Sequence, residues 1–253
     1  MKKISEIKEY LSNIDPESLP GALDAFREDE RRGVRGLVEV YERKYESYEK
    51  EKQRMQEMLS FERSGREAGA LLICGIDEVG RGPFAGPVVA GAVILPDPCD
   101  ILYLNDSKKL TAAKREELDV VIRDKAVAVG IGIVSPERID EINILNATYE
   151  AMRDAIASLS VRPDLLLNDA VTIPGVGIRQ VPIIHGDAKS ASIAAASIVA
   201  KVYRDHLMEA YDDVYPGYGF RSNKGYGSRE HIRALQEQGP CPIHRRSFIH
   251  DYV

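Results

Sequence analysis

The sequence has no tryptophan and only three cysteines, Cys74, Cys99 and Cys241, which stand far apart with none in a Cys-x-x-Cys pair. Such spacing suggests neither a zinc site nor a disulfide framework, and a reduced, cytoplasmic protein is expected. No apolar run approaches the ~20 residues that a bilayer span requires. The first residues, Met-Lys-Lys-Ile-Ser-Glu, mix both charges and lack the apolar stretch of a secretion signal, so no membrane association is expected. No Gly-x-x-x-x-Gly-Lys-Ser/Thr loop occurs, which argues against a P-loop phosphotransferase. Positive charge is also in deficit: the net charge of −6 speaks against a protein that simply coats polyanions.

The charge that is present is segregated. Between Arg221 and Arg246 lie Arg221, Lys224, Arg229, Arg233, Arg245 and Arg246, against only two acids, Glu230 and Glu237. A basic stretch on an acidic chain fits a defined phosphate footprint. The 253 residues suffice for one sizeable α/β domain with an appendage. Residues 1–68 are rich in Glu, Lys and Arg. Leu37, Val38, Tyr41, Tyr45, Tyr48 and Met55 recur at steps of three and four, as one face of a long helix requires. Pro16, Pro20 and Gly21 break this extension into at least two helices, and 63–69 reads as a linker. The extension is either a helical unit packing on the main domain or an accessory grip on nucleic acid.

From Leu71 the texture changes to short apolar strands separated by helices. Strands are expected over 71–77, 88–95, 127–134, 165–167 and 181–184, with helices over 111–125, 139–159 and 188–211. This order predicts an α/β domain over 69–253, a mixed five-stranded sheet flanked by helices.

Four carboxylates fall at strand ends. Asp77 and Glu78 close the first strand, Asp169 closes Leu165-Leu-Leu-Asn-Asp, and Asp187 follows Val181-Pro-Ile-Ile-His-Gly. Acids leaving parallel strands at one sheet edge converge. Clustered carboxylates repel unless hard cations neutralise them, and an oxygen-only donor set selects Mg²⁺ or Mn²⁺. Two such ions ~4 Å apart activate a water and stabilise the leaving oxygen of a phosphodiester. Strand alternation sets Asp77 and Glu78 on opposite faces, unless the glycines beyond them twist the strand end. Asp187 also reads as a helix N-cap.

Several loops offer contacts for a sugar-phosphate. Gly80-Arg81-Gly82 permits close backbone approach, or is simply a turn. Ser107 and Lys108 stand beside a helix start, either as a phosphate clamp or as ordinary solvated surface. Ser190, Ser192 and Lys201 flank a run of alanines suited to tight helix–sheet packing. Tyr226, between two glycines, is sterically free to lie against a ribose, or else fills the core.

Taken together, Gly75-Ile-Asp-Glu-Val-Gly-Arg-Gly-Pro-Phe-Ala-Gly-Pro, Asp106-Ser-Lys-Lys-Leu, His185-Gly-Asp-Ala-Lys-Ser, Ala195-Ala-Ser-Ile-Val-Ala-Lys, Lys224-Gly-Tyr-Gly-Ser and the closing 239–248 resemble ribonuclease HII, in that family's order, over roughly residues 71–248. The resemblance implies a ribonuclease H-like fold with Asp77, Glu78, Asp169 and Asp187 holding two divalent ions, Mn²⁺ or Mg²⁺. It implies that Gly80-Arg81-Gly82 senses a ribonucleotide 2′-hydroxyl and that Tyr226 stacks on the following deoxyribose. The substrates implied are RNA–DNA hybrids and duplex DNA with embedded ribonucleotides, cut on the 5′ side by a monomer to leave 3′-hydroxyl and 5′-phosphate ends. A type 3 ribonuclease H and a catalytically dead hybrid-binding module are the alternatives. The helical amino terminus and Tyr226 argue against the first, and the complete set of acids against the second. The extension lies outside the region of resemblance, and Asn168 has no evident role.

Overall fold

The computed structural model describes residues 2–253, in two compact units, Met1–Glu57 and Met58–Val253. In the first, helices α1 (Ile4–Ser12), α2 (Leu19–Asp24) and α3 (Arg32–Met58, its last residue beyond this unit) bury Ile7, Leu11, Leu19, Leu23, Val34, Val38 and Tyr41. The expected helix face is thus the buried one. Pro20 starts α2 rather than breaking a helix, since a proline in the first turn forfeits no intrahelical hydrogen bond.

The second unit opens with α4 (Ser60–Glu67), where a linker was expected. It is helical because Phe61 joins the apolar cluster of Ile73, Leu165, Leu167, Ile183 and Ile193, and Gly65 lets it approach Leu165 and Ile73. Five strands follow: β1 (Ile73–Val79), β2 (Val88–Ile94), β3 (Ala128–Val134), β4 (Leu165–Asp169) and β5 (Arg179–Ile183). Their order is β3-β2-β1-β4-β5. The pairs β1–β2 and β2–β3 are antiparallel; β1–β4 and β4–β5 are parallel.

Helix α5 (Ala112–Lys125) starts where expected, with the Thr111 hydroxyl accepting from the Lys114 amide. The single helix expected over 139–159 is two, α6 (Pro136–Ile142) and α7 (Ile144–Ala157). Asn143 breaks it by taking a φ of 67°, which ends one helix while its side chain caps the next. Helix α8 (Ala191–Val214) is capped by Ser190, not Asp187. Short helices α9 (Phe220–Asn223), α10 (Arg229–Gln238) and α11 (Arg246–Ile249) close the chain around Tyr218, Phe220, Leu235 and Ile243. No helix among the described residues is long and apolar enough to cross a membrane.

The two long helices sit on opposite sheet faces, and glycines set their distance. A Cβ on Gly75 would stand 2.0 Å from the Ser192 carbonyl carbon, and one on Gly91 2.4 Å from the Ala196 oxygen, both in α8. On the other face, Gly130 and Gly132 meet α7 at the Ala155 and Ala151 carbonyls. Gly75→Ala is therefore expected to destabilise the unit by ~1–3 kcal/mol, because backbone must move to admit the methyl. An unchanged urea midpoint would refute this close packing.

Candidate active site

The register of the central parallel pair creates the site. Ile73 stands beside Leu165 and Ile76 beside Asn168, so one step further Asp77 and Asp169 are neighbours where the parallel pairing ends, although β1 itself runs on to Val79 rather than closing at Asp77 and Glu78. Asp77 pairs across the antiparallel side with Gly91, on the face that α8 covers, and is buried. Glu78 departs from the opposite side of the pleat. Its amide donates to Asp77 Oδ1 at 2.8 Å, and its carboxylate pairs with Arg81 at 3.2 Å.

Asp187 sits in a 3-10 turn, Gly186–Ala188, after β5. Gly186 N–H donates to Asp169 Oδ1 at 2.7 Å, which ties this turn to the end of β4. Ala170 and His185, flanking the two acids, have left-handed φ values of 55° and 57°. Such backbone costs free energy and persists only where its surroundings enforce it. Asn168 supplies part of that enforcement. Fully buried, it donates to the Val171 carbonyl at 3.1 Å and to Gln180 Oε1 at 2.8 Å, fixing the turn that follows Asp169.

The acids share one field. Burial, then the charge of Glu78, holds the Asp77 carboxyl well above the usual carboxylate range, and Asp169 adds to the effect. Burial raises Glu78 against the opposing pull of Arg81. Burial raises Asp187 too, followed by the charges of Asp106 and Asp169. Lys108 registers the same cluster from outside: burial works to lower it, but Asp106, Asp77, Asp187 and Asp169 together raise it.

Among the described residues, no three His, Cys, Asp or Glu side chains stand in an arrangement that holds a metal. The carboxylates are engaged instead with backbone amides, Ser197 and Arg81. Their chemistry nevertheless fits a hard divalent cation: oxygen donors only, mutually repelling and partly desolvated, each within the field of another.

The expected substrate contacts divide. Arg81 and Gly82 are exposed, and Gly82 lies beside Tyr226, whose ring carbon is 3.8 Å from where a Gly82 Cβ would be. Gly80 is buried below them with a φ of 89°. Tyr226 is 48% exposed, while its backbone is pinned. Its amide donates to the Asn223 carbonyl at 2.9 Å, and its carbonyl meets His231 Nδ1 at 2.9 Å. The Cys241 amide donates to His244 Nδ1, so a neutral His244 carries its proton on Nε2, 2.9 Å from His231 Nε2. That fixes His231 as the Nδ1–H tautomer, donating to the Tyr226 carbonyl. Burial, then His231, pushes His244 down to about 4, which keeps the chain of bonds neutral at physiological pH.

Ser107, Ser190, Ser192 and Lys201 were expected at the surface of the site and are not free there. Ser107 is buried and accepts from the Ser197 hydroxyl at 2.9 Å, while Ser192 is buried under β1. Ser190 is wholly buried and donates to Glu62 Oε1 at 2.6 Å. Lys201 is held by Asp205 at 2.6 Å. The polar groups of Ser107, Ser190 and Lys201 thus go to internal partners. The expected basic footprint shrinks similarly: Arg221 pairs with Asp213, Lys224 with Glu209, and Arg245 lies inside the fold.

Two sets of residues escaped the reading of the sequence. Glu62 in α4 is 1% exposed and accepts from Ser190 and from the Ser192 amide at 2.9 Å, anchoring the start of α8. Arg204 and Arg245 are each 0% exposed and donate only to backbone carbonyls. A Glu or Arg in a charged segment reads as solvated, and nothing local distinguishes these three.

A family model described as Ribonuclease HII matches residues 74–251, and one described as Ribonuclease HII N-terminal domain matches residues 3–66. The amino-terminal helices therefore lie inside the likeness, not outside it. A Ribonuclease HII of Lachnoclostridium phytofermentans is 60% identical over 98% of this chain and 96% of its own length. One of Clostridioides difficile is 52% identical over 98% and 97%. The crystal structure of the ribonuclease H2 from Pyrococcus horikoshii OT3 superposes with a TM-score of 0.59 at 29% identity, covering 70% of this chain and 93% of that one.

Proposed function

The chain belongs to the ribonuclease HII family, endoribonucleases of the ribonuclease H type, and from that premise we propose that it hydrolyses the RNA strand of RNA–DNA hybrids and cuts 5′ of ribonucleotides embedded in duplex DNA. The observation that carries this reading is the meeting of Asp77, Asp169 and Asp187, from three distant stretches of chain, at one sheet edge and in one electrostatic field. Asp77, Glu78, Asp169 and Asp187 would hold Mg²⁺ or Mn²⁺. When bound, two such ions supply an activated water and charge stabilisation at the leaving oxygen.

The chain's own residues do the rest. Lys108, held charged by the acids, neutralises a phosphate brought to the cluster. The Gly80-Arg81-Gly82 backbone offers N–H groups to a 2′-hydroxyl, the group by which RNA differs locally from DNA. Tyr226 presents its ring to the next sugar from a loop that cannot shift, since both of its backbone polar groups are engaged.

The test is cleavage of duplex DNA carrying one ribonucleotide, with Mg²⁺, Mn²⁺ or a chelator. Cutting at the 5′ side of the ribonucleotide, leaving 3′-hydroxyl and 5′-phosphate ends and abolished by the chelator, is the expected result. Products with 2′,3′-cyclic phosphate, or undiminished cutting in chelator, would overturn it. Tyr226→Ala should lower kcat/KM at the ribonucleotide–deoxyribonucleotide junction roughly 5–150-fold, the span for loss of ~1–3 kcal/mol of stacking. Its melting temperature should stay near that of the parent, because the ring is half-exposed. An unaltered junction preference would remove Tyr226 from substrate recognition.

A further inference from the structure

The two buried arginines are an unusual expenditure. Neither Arg204 nor Arg245 forms an ion pair among the described residues, and burial pushes Arg245 down to about 9 and Arg204 to about 10. A cation taken from water without a carboxylate is costly unless its donors are fully used. Here all but one of the bonds go to one loop, 80–87. Arg245 Nε donates to the Gly86 carbonyl at 2.9 Å, Nη1 to the Arg81 carbonyl at 2.9 Å, and Nη2 to the Gly80 and Gly86 carbonyls at 2.5 and 2.8 Å. Arg204 donates to the Pro87, Ala85 and Lys224 carbonyls at 3.0, 3.1 and 2.9 Å.

The peptide unit converts this into direction. In a planar trans peptide the C=O and the following N–H point opposite ways. With the Gly80 and Arg81 carbonyls drawn inward onto one guanidinium, the N–H groups of Arg81 and Gly82 are turned outward. Those two residues are exposed, Gly82 lies beside Tyr226, and neither N–H group has an acceptor among the described residues. The planar fork is what allows two successive carbonyls to be held at once, and a lysine ammonium, a point charge, lacks that geometry. Gly80 is required by the same device, since a Cβ there would stand 2.2 Å from Arg204 Nε.

We propose that Arg245 is a positioning residue for ribonucleotide selection, aiming the Arg81 and Gly82 amides at the 2′-hydroxyl from behind the loop, with Arg204 holding the loop's far side. This rests on the reading of Gly80-Arg81-Gly82 as the 2′-hydroxyl contact. Arg245 touches no substrate. It acts by fixing two peptide planes before substrate arrives, so the bound geometry carries no ordering cost.

The test compares the parent chain with Arg245→Lys and Arg245→Met by fluorescence anisotropy in chelator, using a duplex with one ribonucleotide and its all-deoxy counterpart. The parent should prefer the ribonucleotide duplex. In folded Arg245→Lys, checked by circular dichroism, the ratio of the two Kd values should fall roughly 10-fold, since two hydrogen bonds of ordinary net worth lose their aim. A Kd ratio is insensitive to the fraction of active protein, so a merely structural role would leave it unchanged. A parent chain without preference would sink the substrate reading itself. A preferring parent with an equally preferring Arg245→Lys would sink only the positioning role, as would loss confined to Arg245→Met, because charge alone would then suffice. If neither variant folds, amide hydrogen exchange of the parent decides. The Arg81 and Gly82 amides should be protected by the ribonucleotide duplex and not by the all-deoxy one, and equal protection overturns the proposal.

Discussion

Asp77→Asn is expected to lower kcat roughly 10³-fold or more, the rate equivalent of several kcal/mol of charge stabilisation lost at the reacting phosphate. The fold should survive. The Glu78 amide donates to Asp77 Oδ1, and an asparagine oxygen can accept the same bond. Stability should respond in the opposite direction to activity. Asp77 is raised above its unfolded value by burial and by Glu78, so the native state without divalent ions favours the protonated acid. That contribution is present at low pH and is lost as pH rises through the folded value, where the ionised cluster repels itself. Without divalent ions, Asp77→Asn should therefore unfold at higher denaturant than the parent at neutral and alkaline pH, and the difference should shrink on acidification. Adding Mg²⁺ at 100 times its Kd should stabilise the parent by ~2.7 kcal/mol and the variant much less. Full activity in Asp77→Asn, or equal stabilisation of both chains by Mg²⁺, would remove Asp77 from the ion site.

The second large effect concerns where the catalytic unit begins. A chain starting at Gly69, the boundary that composition suggests, should be less stable than one starting at Met58 by roughly 3–6 kcal/mol. Two losses produce this. Phe61 leaves the cluster it shares with Ile73, Leu165 and Ile193. With Glu62 gone, the wholly buried Ser190 hydroxyl and the Ser192 amide lose their acceptor at the start of α8. Since Ser190 follows directly on the turn that carries Asp187, activity should fall with stability. Urea unfolding of the two chains measures the difference, and coincident midpoints would show that α4 is dispensable. Glu62→Ala in the full chain should reproduce part of the loss, ~1–3 kcal/mol, through the unsatisfied donors alone.

Much of this site could be read before any fold was known, and the reasons are local. Asp77, Asp169 and Asp187 follow short β-branched or leucine-rich runs, and such runs mark strands by their composition alone. Thr111 announces α5 because a threonine hydroxyl caps within three residues. Asn143 was passed over because an asparagine between apolar residues fits a helical period, and its left-handed φ of 67° becomes visible only in the backbone. Asp187 reads as the N-cap of the helix that follows it, but the cap is Ser190, three residues on, whose hydroxyl accepts from the Ile193 amide.

By itself, then, the sequence determined the five strands along the chain, most of the helices between them, the oxygen-only chemistry of the acids and the glycine-flanked tyrosine. These are properties of neighbours along the chain, where propensity, alternation and capping operate over a few residues. Only the tertiary structure decided which charges face water. Arg245 and Arg204 lie within the fold, Lys201 and Lys224 are paired, and Glu62 is sealed beneath α8. Whether a charge is solvated, paired or buried depends on what distant segments place against it, and no window of sequence contains both partners.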